Sequence, residues 1–263
     1  MTAPPLDTSS LHRITPGHDA DELARAVYSA LLTDLAALTD ADWRRPTDCT
    51  GWTVRDMVAH LVGAAQGHGS MPVFVNQYVW GLRHRKDFGG SGLDAMNQKQ
   101  IDDQRDLSDA ALSARLVELA PRAVTGRSRR ARWLGWAPIS LDEAGSWYTG
   151  MPTRTTMGEL CSVVLTRDVW AHRLDLARAL GTPPTIDPQI DGSVVADIVA
   201  DWATQHARPF TLVLTGDAGG TFRAGNAGPL LALDALDFAR VMAGRRPDGD
   251  IPDSPLWATR VLF

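Results

Sequence analysis

Asp168 and His172 stand four residues apart in a mostly apolar stretch, residues 157–180, whose pattern predicts a helix. On a helix, positions i and i+4 share a face with Cβ atoms about 5–6 Å apart, so a carboxylate oxygen and an imidazole nitrogen can converge on one cation. At 100° per residue Asp175 falls in the same narrow sector, with Cys161, Val164 and Ala179. A carboxylate facing an interior needs a metal, an arginine or a hydrogen-bond network to offset its burial. Arg167, Arg173 and Arg178 project from other sectors of the helix, which leaves either a metal or an internal salt bridge as the use of the cluster. A third ligand is offered by His60. It lies at the edge of the apolar stripe of Val54, Met57, Val58, Leu61 and Val62, in a helix that Thr53 caps with Asp56 at the third position. Two nitrogens and one carboxylate leave a coordination position open, which is the arrangement of a catalytic metal site.

The elements that must hold these residues are mainly helical up to Gly181. Thr156 and Glu159 form a capping box for the 157–180 helix, and Gly181, Pro183 and Pro184 stop it. A first helix is expected over residues 19–38, a partly helical connection over 72–92, and one broken or two shorter helices over 93–105 and 108–124. Residues 126–154 read as a long loop, a candidate pocket wall. There Arg127, Arg129, Arg130 and Arg132 precede Trp133, Trp136 and Trp147, either as carboxylate binders or as solvated surface charge. Beyond Gly181 the pattern mixes helix (191–206, 232–244) with strand (210–215, 219–223 and a tail at 256–263). The boundaries are therefore a helical domain, residues 1–181, and a small α/β domain, residues 185–263.

Two segments carry a resemblance to a known family. One is Asp42-Trp43, then Pro46-Thr47-Asp48-Cys49-Thr50-Gly51-Trp52-Thr53-Val54-Arg55-Asp56 and His60-Leu61; the other is Arg167-Asp168-Val169-Trp170-Ala171-His172-Arg173-Leu174-Asp175-Leu176. In order and separation they resemble the mycothiol-dependent maleylpyruvate isomerase family of the DinB-like superfamily. The resemblance implies a metal-binding four-helix bundle followed by a small α/β C-terminal domain. It also implies a divalent metal, usually zinc, held by His60, Asp168 and His172, and mycothiol as thiol cosubstrate. Where the family usually has glutamate, this chain has Asp168, whose arm is one methylene shorter. The Gly244-Arg245 ending resembles that of the family's small domain, which makes Arg245 a candidate for binding a substrate carboxylate. As the end of a helix, the same arginine also suits the helix dipole.

Composition is consistent with such an enzyme. The chain has 263 residues, 44% of them hydrophobic, enough for a sizeable core. A formal charge of −5 argues against nucleic acid as a partner. No stretch approaches the roughly 18–20 apolar residues needed to span a bilayer, and residues 1–10 lack the pattern of a secretion signal, so a cytoplasmic location is expected. The two cysteines, Cys49 and Cys161, have neither metal-finger nor redox spacing and read as small buried side chains. The expected chemistry is thiolate delivery to a small-molecule electrophile, as an S-transferase or as a cis–trans isomerase of an unsaturated keto-acid. A metal hydrolase with Asp175 or a neighbouring carboxylate as base, and a non-catalytic binding module with a degenerate metal site, are the alternatives.

Overall fold

The computed structural model describes residues 4–141 and 150–263, which divide into two compact units. The helical unit spans Thr15–Trp147 and Thr153–Pro184. Its bundle is formed by α1 (His18–Ala36), α2 (Val54–Gly69), α5 (Asp109–Leu134) and α7 (Leu165–Leu180), while α3 (Met71–His84) and α4 (Gly92–Asp102) pack against α2. Leu31, Val58, Val62, Leu112, Leu116 and Leu176 are fully buried between these helices. A short antiparallel pair, β2 (Pro138–Ser140) with β3 (Arg154–Thr156), precedes the final helical run.

Local signals explain the elements that carry the site. Thr53 caps α2 with a reciprocal box: its hydroxyl accepts from Asp56 N–H at 3.3 Å, and the Asp56 carboxylate accepts from Thr53 N–H at 2.9 Å. Thr156 accepts from Glu159 N–H at 3.1 Å, while the Glu159 carboxylate accepts from the Thr155 hydroxyl at 2.9 Å, and Gly181 ends α7 in the left-handed region at φ 69°. Between those ends the run is not uniform. A helical turn, α6 (Met157–Glu159), passes through a π-helical turn at Leu160–Val164 before α7 begins. That turn takes Cys161 out of phase with Asp168, and Cys161 packs instead with Ala131 and Met157. Asp168, His172 and Asp175 all lie beyond it and keep regular α spacing.

The expected loop at residues 126–154 begins as helix, since α5 continues through Leu134. Gly126 does not break it: a Cβ there would sit 2.3 Å from the His68 carbonyl oxygen, so the glycine allows α5 to approach α2 closely. Arg127 and Arg130 are thereby buried, not solvated, whereas Arg129, Arg132, Trp133 and Trp136 are exposed; Trp147 lies outside the described residues.

The second unit comprises Met1–Ile14, Tyr148–Pro152 and Thr185–Phe263. Its sheet has the order β1-β5-β4-β6, with β1 (Leu6–Asp7) parallel to β5 (Gly220–Ala224), β5 antiparallel to β4 (Phe210–Thr215), and β4 parallel to β6 (Leu230–Asp234). The other helices are α8 (Ile190–His206) and α9 (Ala235–Met242). Trp202 of α8 centres an aromatic core with Phe210, Phe238 and Trp257 at ring distances of 4.9–5.5 Å. The tail expected as a strand carries a 3₁₀ turn at Pro255–Ala258. No helix among the described residues is long and apolar enough to cross a membrane.

Candidate metal centre

His60 projects from α2, and Asp168 and His172 from α7, and one ligand atom of each lies within 4.8 Å of the others. His172 Nε2 is 3.4 Å from Asp168 Oδ1. Zinc bonds of about 2.0–2.2 Å at tetrahedral angles put neighbouring ligand atoms roughly 3.4 Å apart, so the shorter arm of Asp168 reaches a chelating position. Trp52 walls the cluster, its ring centroid 5.1 Å from that of His60 and 6.2 Å from that of His172. The two imidazoles meet edge to face at 5.3 Å. Both histidines are buried, while the Asp168 side chain keeps 26% of its surface exposed, so the carboxylate marks the accessible side.

The two histidines are pushed in opposite directions. Burial drives His60 down to about 4, with the neighbouring His172 adding to the effect and Asp168 opposing it. Burial also opposes charge on His172, but Asp168, Cys49 and Asp175 outweigh it and raise that ring to about 10. A neutral imidazole and a carboxylate are ready ligands. The second imidazole, between two carboxylates, holds a proton where a divalent cation would balance the charge better. The donor set, two nitrogens and one oxygen with an open side, fits a catalytic divalent metal.

Around this set stand residues whose roles differ from those expected of them. Asp175 Oδ2 accepts from His172 Nδ1 at 2.9 Å, the outer carboxylate that orients a ligating histidine. Its place on the Nδ1 side turns it away from the candidate metal position and removes it as a base for bound water. Cys49, read as a small buried side chain, is half-buried beside this pair, its sulfur 3.6 Å from Asp175 Oδ2 and 3.9 Å from His172 Nδ1. Cys49, His172 and Asp175 also group as ligand types, but the 2.9 Å hydrogen bond leaves no room for an ion between ring and carboxylate. The loop bearing Cys49 is tied to the end of α7 by an ion pair between Arg178 and Asp48 and by Arg45 on the carbonyls of Ala179 and Leu180 at 3.3 and 3.2 Å. Arg173 pairs with Asp34 of α1 at 2.7 Å. Arg127 approaches it from α5: Nη2 donates to Thr166 Oγ1 at 3.2 Å, the guanidinium faces the Tyr28 ring at 5.8 Å, and Asp168 acts on its charge. Arg245 belongs to the other unit, just past α9, where its backbone N–H donates to the Arg240 carbonyl at 2.7 Å.

Comparison with known proteins identifies related folds and a family. Over most of both chains the fold matches two crystal structures, one of the mycothiol-dependent maleylpyruvate isomerase and one of its histidine-to-alanine variant. TM-scores are 0.53 and 0.52, sequence identity is 19%, and the matches cover 90% of this chain and 95% of each of those. No curated protein matches the chain. The family described as the mycothiol maleylpyruvate isomerase N-terminal domain matches residues 24–177, which contain His60, Asp168 and His172. The chain thus belongs to the mycothiol maleylpyruvate isomerase N-terminal domain family.

Proposed function

We propose that the protein is a metal-dependent enzyme that uses a low-molecular-weight thiol, mycothiol, against a small electrophile, as an S-transferase or as a cis–trans isomerase of an unsaturated keto-acid such as maleylpyruvate. The observation that carries this reading is the convergence of His60, Asp168 and His172 in a chain of this family. When bound, a zinc-like ion would supply a Lewis-acidic position that holds the thiol as its thiolate at neutral pH. The protein's own residues prepare that position. His60 offers a neutral nitrogen, Asp168 the negative charge, and His172 a nitrogen oriented by Asp175. Trp52 shields the two rings from water on one side.

Both outcomes share a first step, in which the thiolate sulfur bonds to the β-carbon of the conjugated alkene and the π pair moves toward the carbonyl. If the former double bond rotates and the carbon–sulfur bond breaks, the thiol is regenerated and the product is the trans isomer. If the adduct takes up a proton, the product is a thioether. The role that the resemblance gives Arg245, binding a substrate carboxylate, is part of this proposal; Arg245→Ala should raise KM more than it lowers kcat.

The decisive measurement is metal content by mass spectrometry on untagged protein, followed by turnover of maleylpyruvate with and without mycothiol. About one equivalent of divalent metal, lost in His60→Ala and His172→Ala, together with thiol-dependent turnover, is the expected result. Protein that takes up no metal when zinc is added, or that turns over equally well without thiol, would overturn the reading.

A further inference from the structure

A polar chain inside the bundle runs from a backbone carbonyl to His60. The Gly63 carbonyl of α2 accepts from Gln77 Nε2 of α3 at 2.8 Å, and Gln77 Oε1 accepts from Gln100 Nε2 of α4 at 3.1 Å. Both glutamines are buried, 2% and 3% exposed, where an unpaired amide is costly. Two glycines on α2 make room for them. A Cβ on Gly63 would lie 2.6 Å from Gln100 Cβ, and one on Gly67 would lie 2.5 Å from Gln77 Oε1. At the end of the chain, Gln100 Oε1 and His60 Nδ1 are both buried and without a hydrogen-bond partner, Gln100 packs on Gly63, one turn along α2 from His60, and its side chain favours a proton on the His60 ring.

The direction of this chain follows from its origin. An amide's oxygen and nitrogen look alike in outline, and only their partners assign them. A backbone carbonyl can only accept, so Gln77 must turn its NH₂ to Gly63 and its oxygen to Gln100. Gln100 must then give its NH₂ to Gln77, which leaves its oxygen as the group facing His60. An acceptor there selects the ring form that carries its proton on that side.

We propose that Gln100 is a positioning residue for His60: its Oε1 accepts the Nδ1 proton of the neutral imidazole, and the chain from Gly63 through Gln77 thereby leaves Nε2 bare toward Asp168 and His172. Gln100 does for His60 what Asp175 does for His172, with a neutral amide in place of a carboxylate. This deepens the metal reading and rests on His60 being a ligand.

The test is made on metal-free protein. Two-bond ¹H–¹⁵N correlation at neutral pH should show His60 as a single tautomer with Nδ1 protonated and Nε2 bare. Gln100→Leu keeps the bulk and removes the acceptor, so His60 should shift toward the Nε2–H form and zinc affinity in a chelator competition should fall about 10–100-fold. Gln77→Leu does not touch His60 but frees Gln100 to turn over, so it should mix the tautomers; it also carries the test if Gln100→Leu does not fold. A wild-type His60 in the Nε2–H form, or an unchanged tautomer in folded variants, would overturn the proposal. The two readings fail separately. A bare Nε2 with zinc retained by His60→Ala sinks the metal reading alone, whereas an Nε2–H ring with zinc lost in that variant sinks the relay alone.

Discussion

A buried imidazole between two carboxylates is a cation site, and in the metal-free protein the cation is a proton on His172. The pair Asp168 and His172 was readable from the sequence because i,i+4 spacing fixes a shared helix face whatever the fold does elsewhere. His60 was readable because it sits at the edge of a strongly patterned stripe. Cys49, Arg127 and Gln100 were not, since a thiol in a loop, an arginine in a charged run and a glutamine in a helix carry no spacing that distinguishes interior from surface. The opposed histidines set a pH dependence for metal-free protein. His172 is raised to about 10, above its unfolded value of 6.5, so its contribution to stability is fully present below 6.5 and is lost as pH rises toward 10. His60 is lowered to about 4, so its contribution is present above 6.5 and is lost as pH falls toward 4. Urea midpoints of EDTA-treated protein should therefore fall on both sides of about pH 6.5. His172→Ala should flatten the alkaline limb and His60→Ala the acid limb. An alkaline limb that survives unchanged in His172→Ala would show that the Asp168–His172–Asp175 cluster does not hold that proton.

Helix ends were legible where side chains mark them: Thr53 with Asp56, Thr156 with Glu159, and the left-handed Gly181 all stand where their chemistry places them. The failures came where one residue type has two uses. Gly126 looks like a breaker, but its missing Cβ serves packing against the His68 carbonyl, and so α5 runs on to Leu134 with Arg127 and Arg130 inside. The π-helical turn at Leu160–Val164 left no trace because its residues are mostly apolar and no residue type marks it. Helix contacts of this closeness are directly testable at Gly63. Alanine there would gain up to about 1 kcal/mol in helix propensity. Its Cβ, however, would lie 2.6 Å from Gln100 Cβ and 2.8 Å from Gln100 Cα, so α4 must retreat. Overpacking of a core costs about 1–3 kcal/mol, and we expect it to win, making Gly63→Ala less stable than wild type. Denaturant unfolding measures the sign directly, and a stabilised Gly63→Ala would mean that α2 and α4 are not held this close.

Every candidate metal ligand belongs to the helical unit, and the remaining mass of the chain folds around a different core. The first residues were expected with the helices, yet Met1–Ile14 groups with the C-terminal sheet. Two paired residues, Leu6 and Asp7, are too short a strand to show alternation, and their partner Phe222 is more than two hundred positions away. What fastens this segment is charge. Asp197 of α8, fully buried, accepts from Arg13 Nε at 2.8 Å and from the Ile14 backbone N–H at 2.9 Å. Removing the carboxylate leaves a buried N–H and a guanidinium short of a partner, and breaking a buried pair costs about 3–5 kcal/mol. Arg13 is one-third exposed and regains water, so the lower end of that range applies. Zinc at 100 times its dissociation constant should in turn stabilise the unit that binds it by about 2.7 kcal/mol. The two perturbations therefore act on different cores. Asp197→Ala should lower the thermal transition of the C-terminal unit while leaving zinc content at the wild-type level, and added zinc should raise the transition of the helical unit. Differential scanning calorimetry with and without zinc, on wild type and on Asp197→Ala, separates the two effects. Loss of zinc in Asp197→Ala would mean that the N-terminal fastening reaches the metal ligands, and that the two cores unfold as one.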